Sequence, residues 1–591
     1  MNIWSRIKEH KVLQWTLGYA AAAYTLLHGV EMVGNAFIWP HAVARIVTLL
    51  LILGVPIAAT LAWYHGHKGY KRVGRQEIAV LSVLLVMAGS VLWLFGRPGE
   101  EHADARSETI AESARSAPEA KSLAVLPFDN RSGDKSQEFY ADGLTDELTT
   151  ALAHISGLKI IASSSAARYK GSDKRPSEIA HDLGVASLVT GSVLRADGRI
   201  RYTAALISAD TEQNIWAESY QRDERDVLTL QSEVAGAIAK AIEVRLSPAE
   251  SERLATARTV DPRAFEEYLL GRALWNKRTE QGVRAALTHF ENSARIAPDF
   301  ALAHAGVADS YIILGVHGFD PPRTVMPKAK AAATTAIALD PAAGEPHASL
   351  GDILFHYDWD WGAAELEHRL AISRAPAYAT AYQWGSEAQI LHGNLDGALA
   401  RLRKAMAIDP LSMIIRAQFA NALGLLGRRE VAVKELRAAI ELDPAFPRTR
   451  RELVLQLLAL GRTDEALAEA RKLAEIAPEN LPSMAVLGLS LGRAGLAGEA
   501  RALLKKLDGE KGKPFISSLE LARIPAGLHD RDLTIRYLRK AVEAREGFLP
   551  FIGGDDEFAF LRKDSRYQEV ARTIGIGESR GTVVRPGFLS D

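Results

Sequence analysis

The chain has 591 residues, about four domains' worth at roughly 150 residues each, which argues against a single compact core. Lys and Arg total 71 against 72 for Asp and Glu, and the formal net charge of -1 gives no reason to expect nucleic-acid binding. Cysteine is absent, so disulfides, thiolate zinc sites, iron–sulfur clusters and a cysteine nucleophile are excluded.

Three apolar stretches predict an N-terminal module of transmembrane helices within residues 1–96: about 12–38, 42–63 and 78–95. The third has 18 residues without a charge, close to the roughly 20 that a helix needs to cross a hydrocarbon layer of about 30 Å. The first carries His28 and Glu31 in its distal half, so an interfacial helix is its alternative.

Basic residues indicate the orientation of this module. The loop between the second and third stretches carries four Lys and Arg residues between positions 68 and 75, whereas the segment after the third stretch is acidic. We therefore expect the loop to face the cytoplasm. Everything after residue 95 then lies outside the cytoplasmic membrane.

Residues 97–121 are rich in Ala, Glu and Ser without a sustained apolar period, which predicts a linker. From residue 122 to 246, short apolar strands and amphipathic helices follow in the order β-α-β-α-β-β-β-α. Asp197 and Gly198, between two alternating runs, predict a hairpin. This pattern is typical of a small α/β domain with a mixed sheet.

This domain contains the runs AVLPFDNRSGDKSQEFYADGLTDELTTALAHI and LGVASLVTGSVLRADGRIRYTAALISADTEQNIW. Together they resemble the TolB amino-terminal-like (FlgO-like) domain of bacterial envelope proteins. In that family the domain often lies between tetratricopeptide repeats and an N-terminal output module, such as a class III adenylate cyclase, a winged-helix DNA-binding domain or a protein kinase. The first 121 residues hold only the membrane module and the linker, so we expect no catalytic or DNA-binding module in this chain.

Residues 262–545 contain a helical repeat. Helix-like segments close at six prolines with spacings of 43, 35, 34, 34 and 34 residues: Pro298, Pro341, Pro376, Pro410, Pro444 and Pro478. Seventeen residues after five of them stand glycines that we expect to form interhelix turns: Gly315, Gly393, Gly427, Gly461 and Gly495. The period resembles the tetratricopeptide repeat, and the first interval predicts an insertion around residues 316–324.

In tetratricopeptide solenoids the first helix of each unit lines a concave groove. The resemblance places nine polar residues in it: Asp309, Asp352, His356, Gln383, Glu387, Asn421, Arg448, Arg451 and Arg493. The acids come first and the arginines later, a charge gradient that could orient an extended peptide. These residues are also typical of ordinary exposed helix faces, and that alternative stays open.

Residues 546–576 resemble the helical cap that closes many repeat arrays, and residues 577–591 form a tail. The run GGDDEF at 553–558 looks like the loop of diguanylate cyclases, but too little chain follows it to build such a domain. The 16 histidines show no metal-ligand spacing, and the acids of the α/β domain have no phosphate-binding loop beside them. We expect no cofactor, no metal and no catalytic residue.

The fold class is thus N-terminal transmembrane helices, a small α/β domain, and an all-α tetratricopeptide solenoid with a helical cap. We expect a multi-pass protein of a bacterial inner membrane whose C-terminal bulk is periplasmic. Its expected function is a non-catalytic scaffold that binds a protein or peptide in the groove and the bilayer through its N-terminal helices, without nucleic acid. The alternative is a regulatory component of a signalling system, related in architecture to adenylate cyclases.

Overall fold

The computed structural model describes residues 121–256, 259–277, 279–509 and 515–576. The three apolar stretches, the linker up to residue 120 and the tail lie outside the described residues, so their predictions stay predictions. Among the described residues, no helix has the length and apolar character needed to cross a bilayer.

The α/β domain is built on a mixed sheet, as predicted. Its strands are β1 (Ser122–Val125), β2 (Asp129–Asn130), β3 (Lys159–Ile161), β4 (Ser187–Ala196), β5 (Arg199–Ser208) and β6 (Asn214–Asp223). The order is β3-β1-β4-β5-β6, with β2 beside β4; β1 pairs in parallel with β3 and β4, and β4, β5 and β6 are antiparallel. The predicted hairpin joins β4 to β5 through Asp197 and Gly198, both with positive φ.

Helices cover both faces of this sheet. They are α1 (Glu138–Ala153), α2 (Ser163–Ala166), α3 (Pro176–Leu183), α4 (Val227–Ala241) and α5 (Pro248–Ala255). Leu148 of α1 and Ile238 of α4 share one buried cluster with Tyr202 of β5, whereas Ile179 of α3 packs in a separate cluster with Leu188 of β4. The predicted element order is confirmed. The elements β2, α2 and α5 were not predicted. The first two have two to four residues and carry no periodic signal, and α5 follows residue 246, where the predicted domain ends.

Within the described chain, residues 262–544 form eight antiparallel helix pairs of the tetratricopeptide type. They are α6 (Pro262–Trp275) with α7 (Glu280–Ile296), α8 (Ala301–Val316) with α9 (Pro322–Leu339), α10 (Glu345–Ile353) with α11 (Trp361–Arg374), α12 (Ala379–Leu391) with α13 (Leu395–Ile408), α14 (Met413–Leu425) with α15 (Arg429–Leu442), α16 (Pro447–Ala459) with α17 (Thr463–Ile476), α18 (Leu481–Arg493) with α19 (Ala497–Asp508), and α20 (Ser518–Gly527) with α21 (Arg531–Ala544). Six second helices end two residues before the prolines of the repeat, as proline geometry requires.

Four of the five predicted turn glycines have the left-handed backbone that an interhelix turn needs: Gly393, Gly427, Gly461 and Gly495. The prediction for Gly315 was wrong. It lies inside α8, where a Cβ would stand 2.7 Å from Met326 Sδ, and Gly318 with a φ of 69° makes the turn instead. The turn has moved by three residues because α8 has 16 residues where α12 has 13.

The longest repeat interval is not a single inserted loop. Besides the longer α8, the connection from α8 to α9 is two residues longer than that from α12 to α13, and α9 has 18 residues against 14 in α13. The extra residues are thus spread over both helices and their turn. This arrangement keeps all added backbone hydrogen-bonded within helices, apart from a short connection.

The 35-residue interval contains one extra residue, which the structure accommodates as a π-helical turn. After α10 the chain forms this turn over Leu354–Asp358, and Trp359 follows with a φ of 59°. The insertion shifts the next helix by one residue, and Ala364 is fully buried in that helix. Single π turns of this kind are frequent at functional sites.

The α/β domain packs directly on the array, and two buried contacts illustrate this. Tyr268 of α6 donates a hydrogen bond to Glu147 Oε1 of α1 at 2.8 Å. Around α2, the Ser165 hydroxyl donates to Asp409 Oδ1 at 2.5 Å and accepts from the Leu411 N–H at 3.0 Å. Two separate contacts of this kind fix the orientation of the domain on the array.

Replacing Ser165 by alanine tests the second contact. Ser165 is fully buried, so S165A leaves the Asp409 oxygen and the Leu411 N–H without this partner. We expect a loss of about 2 kcal/mol in the free energy of unfolding, measured by urea denaturation.

Ser164 provides the matched control, because its hydroxyl also donates to Asp409 but the residue is exposed. S164A should lose less than about 1 kcal/mol, since water replaces an exposed hydroxyl. Equal losses in the two variants would contradict the importance of the buried contact.

Candidate functional site

The concave face of the array is occupied by the chain's own C-terminal segment, which we define as residues 546–562. After α21 this segment crosses the groove through two 3₁₀ turns, Leu549–Phe551 and Asp556–Leu561, and ends before α22 (Ser565–Thr573). The helix α22 packs on α21, in the position expected of a cap. The course of the preceding segment along the groove was not predicted.

The segment contacts several repeats, at the π turn after α10 and at the start of the second helix α15. The Gly547 carbonyl accepts a hydrogen bond from His356, and the Phe551 ring packs against Phe355 with centroids 5.7 Å apart. Near its other end, Asp556 pairs with Arg429. A segment built of short 3₁₀ turns is therefore held along the groove by both apolar and charged contacts.

The nine predicted groove residues lie on first helices or, for His356, on the π turn, as the repeat alignment required. Five of them are buried: Asp309, Asp352, His356, Gln383 and Glu387. Asn421, Arg448, Arg451 and Arg493 are partly exposed. The burial shows that the first half of the groove is a packed polar interior rather than an open surface.

Asp352, His356 and Glu387 form a compact cluster in this interior. His356 Nε2 lies 2.9 Å from Glu387 Oε2 and 3.5 Å from Asp352 Oδ1. Its other ring nitrogen, Nδ1, lies 2.6 Å from the Gly547 carbonyl oxygen. Asp352 and His356 share one helix face because they are four residues apart, and α12 brings Glu387 to them.

The charged groups of this cluster change one another's pKa values. Burial lowers the pKa of His356, but the charges of Asp352 and Glu387 outweigh it and raise that pKa to about 9. Burial raises the pKa of Asp352 to about 7, against the attraction of the imidazolium. In the metal-free protein the raised pKa favours the protonated form of His356, whose Nδ1 donates to the Gly547 carbonyl while Nε2 faces the two carboxylates.

A glutamine missed by the sequence analysis links this cluster to the next repeats. Gln418 Nε2 donates to Glu387 Oε1 at 2.9 Å, and Gln418 Oε1 accepts from Gln383 Nε2 at 3.1 Å. Asp309 in turn accepts from the Ser349 hydroxyl at 2.6 Å. Each of these partners comes from a neighbouring first helix, so no pattern within one repeat could have indicated them.

The arginine half of the groove is balanced by acids that were also missed. Arg451 lies 3.4 Å from Glu452 and 3.6 Å from Glu520, and Asn421 donates to Glu452 at 3.4 Å. Arg448 stacks over the Phe548 ring at 5.8 Å. The predicted gradient from acids to arginines is therefore largely neutralised inside the protein.

Arg493, the last predicted residue, contacts His529 Nε2 at 2.8 Å, outside this network.

The acids of the GGDDEF run face arginines. Arg523, itself buried, lies 3.5 Å from Asp555 and pairs with Glu557, and burial raises the pKa of Asp555 to about 6. The run thus serves as an internal ion-pairing element. Between it and the groove lies a cavity of about 70 Å³, with Glu387, Arg451 and Asp555 in its wall.

Comparison with known proteins gives limited similarity. No protein-family model matches the chain, so its resemblance to the TolB amino-terminal-like domain stays a prediction. A curated protein described as putative adenylate cyclase 3, from Rhizobium meliloti (strain 1021), is 36% identical over 198 residues. The match covers 34% of this chain and 34% of that protein, so the chain matches about a third of the relative's length.

Among solved structures, human IFIT1 in complex with m7Gppp-AAAA is 15% identical, with a TM-score of 0.40, over 58% of this chain and 76% of that one. The pilus biogenesis factor PilW is 17% identical, with a TM-score of 0.30, over 37% and 96%. YrrB, described as a TPR protein with an unusual peptide-binding site, is 17% identical, with a TM-score of 0.24, over 36% and 99%. The repeat assignment rests on the helices of this chain.

Charge reversal at Arg451 tests the internal balance of the groove. In R451E a third acid joins Glu452 and Glu520, whose side chains are 4% and 6% exposed. We expect the free energy of unfolding to fall by about 3–5 kcal/mol, measured by urea denaturation, because breaking a buried ion pair leaves charge without compensation.

The control is R437E, in which an arginine that is half exposed loses its pair with Glu465. Its loss should stay below about 1 kcal/mol. A small loss in R451E would mean that the groove arginines are available to an external partner.

Proposed function

We propose that the chain is a non-catalytic protein-interaction scaffold whose groove binds a polypeptide segment of a partner. The observation that carries this proposal is the C-terminal segment itself: the groove holds a stretch of polypeptide through His356, Phe355 and Arg429. A partner segment would use the same surface after displacing residues 546–562.

The contacts of the segment define the chemistry of such a partner. Phe548 packs edge-on against the His356 ring at 5.4 Å, and Phe551 packs against Phe355. Asp555 and Asp556 meet arginines further along the groove. We therefore propose an acidic polypeptide segment with two aromatic anchors three residues apart, like the segment that fills the groove in this structure.

The contacts of the α/β domain support the non-catalytic part of the proposal. Its acids already have structural partners: Asp142 pairs with Lys170 at 2.5 Å, and Glu147 accepts from Tyr268. Asp129 pairs with Arg131 on the surface. In each case the carboxylate contributes to packing or solvation.

We further propose that the three apolar stretches anchor the scaffold in a bacterial inner membrane and that residues 122–576 lie on the periplasmic side. The support is the sequence alone: the length of these stretches and the four basic residues between positions 68 and 75.

A topology reporter tests the anchoring proposal. A reporter that is active only outside the cytoplasm, fused after Ser122, should be active, whereas the same reporter fused after Arg75 should be inactive because the basic loop faces inward. Activity in the opposite pattern, or in neither fusion, would refute the proposed orientation.

A second candidate function is regulation of a separate signalling enzyme. The partial match to a putative adenylate cyclase favours it, although the match covers a third of that protein. Loss of a cyclic-nucleotide response on deletion of the chain would support regulation, whereas a stable protein complex without such a response supports the scaffold.

A peptide-binding assay tests the groove. A labelled peptide of residues 546–562 competes for the groove with the same segment of the intact protein. The effective concentration of that tethered segment at the groove is on the order of millimolar. The double variant F548A/F551A weakens the internal segment at its aromatic anchors. Fluorescence anisotropy should show at least about tenfold tighter peptide binding to this variant than to the wild type.

Phe560 offers a matched control, because its ring packs on His529 at 5.0 Å rather than on the residues that hold Phe548 and Phe551. F560A should bind the peptide as the wild type does. If F548A/F551A keeps its circular dichroism spectrum and still binds no peptide, the groove is a closed core and the proposed function fails.

A further inference from the structure

We infer that Asp352, His356 and Glu387 form a binding site for one divalent transition-metal ion. The inference is independent of the proposed function, since it needs only the metal-free geometry of the groove. It was not accessible from the sequence, where the residues are separated and match no known ligand spacing.

The donor atoms already stand at ligand separations. One imidazole nitrogen and one oxygen from each carboxylate lie within 4.8 Å of one another, and all three residues are buried. Their side chains are 3%, 4% and 8% exposed for His356, Asp352 and Glu387. An ion at their centre would need only small side-chain movements, because the π turn and two helices hold the ligands from both sides.

A second observation points to a ligand. Glu387 Oε2 is buried and makes no hydrogen bond, although His356 Nε2 is 2.9 Å away, so the contact lacks hydrogen-bond alignment. A buried carboxylate oxygen in this condition is costly unless a cation satisfies it; without metal the imidazolium of His356 is that cation, and a bound metal ion would take its place and release the Nε2 proton. The oxygen and the ring nitrogen therefore converge on a common centre instead of being aligned as donor and acceptor.

The surroundings resemble the outer sphere of a metal site. His356 Nδ1 donates to the Gly547 carbonyl, which leaves Nε2 as the ligand nitrogen, and Gln418 holds the other oxygen of Glu387. Ligating histidines and carboxylates are commonly oriented by such hydrogen bonds. The adjoining cavity of about 70 Å³ has Glu387 in its wall and gives room for water to complete the coordination.

The donor set selects the class of ion. One imidazole and two carboxylates suit Zn²⁺ or Mn²⁺, whereas Ca²⁺ and Mg²⁺ prefer oxygen donors alone. A neutral imidazole with two ionised carboxylates carries two negative charges, which a divalent cation neutralises. The positive charge of Arg448 acts on Glu387 and disfavours a bound cation. The negative charge of Asp309 acts on Asp352 and favours one.

Metal binding would also fix the C-terminal segment. When Nε2 holds the ion, Nδ1 must carry the remaining ring proton, so its hydrogen bond to Gly547 is kept and polarised. The site thus joins the first half of the groove to the start of the segment that fills it.

The test uses full-length protein freed of metal with a chelator and titrated with Zn²⁺. We expect one equivalent to bind, and Co²⁺ in its place to give visible d–d absorption bands. E387Q preserves the volume of the side chain and should lower Zn²⁺ affinity at least about tenfold, and D352N should do the same. Ca²⁺ should not compete.

The matched control is E367Q at the His347–Glu367 pair, where a histidine nitrogen lies 2.6 Å from a single carboxylate. It should keep wild-type Zn²⁺ affinity. Circular dichroism and the urea midpoint establish that each variant is folded. No stoichiometric Zn²⁺ or Mn²⁺ binding by the wild type overturns the inference, as does unchanged affinity in the folded variants E387Q and D352N.

Discussion

The hydrogen bond from His356 to the Gly547 carbonyl marks the constraint on which the array depends: its polar concave face must be satisfied from within. Buried carboxylates, amides and guanidinium groups are costly without partners. The C-terminal segment supplies many of those partners, together with Phe548 and Phe551 as apolar filling. Interior and segment are thus one packed unit, and any external ligand of the groove must offer equivalent contacts.

One inserted residue lies at the centre of the groove. The 35-residue interval indicates an extra position, and the π turn over Leu354–Asp358 absorbs it. His356 stands within this turn, between Asp352 and Glu387. The polar cluster and its contact with Gly547 are thus built at an irregular turn of the helix.

The α/β domain is held on the array rather than suspended beside it. Ser165 reaches the turn between α13 and α14, while Glu147 accepts from Tyr268 in the first repeat. These two contacts span several repeats, so bending of the array would strain them.

The sequence by itself determined the local structure. Strand alternation, the Asp197–Gly198 turn and the proline period located almost every element, because these signals act over a few residues. Tertiary structure decided the occupant of the groove and the partners of its polar residues. His356 and Gly547 are 191 positions apart, and Gln418 meets Glu387 across two helices. Such contacts depend on how the repeats stack and curve, and no local pattern encodes that curvature.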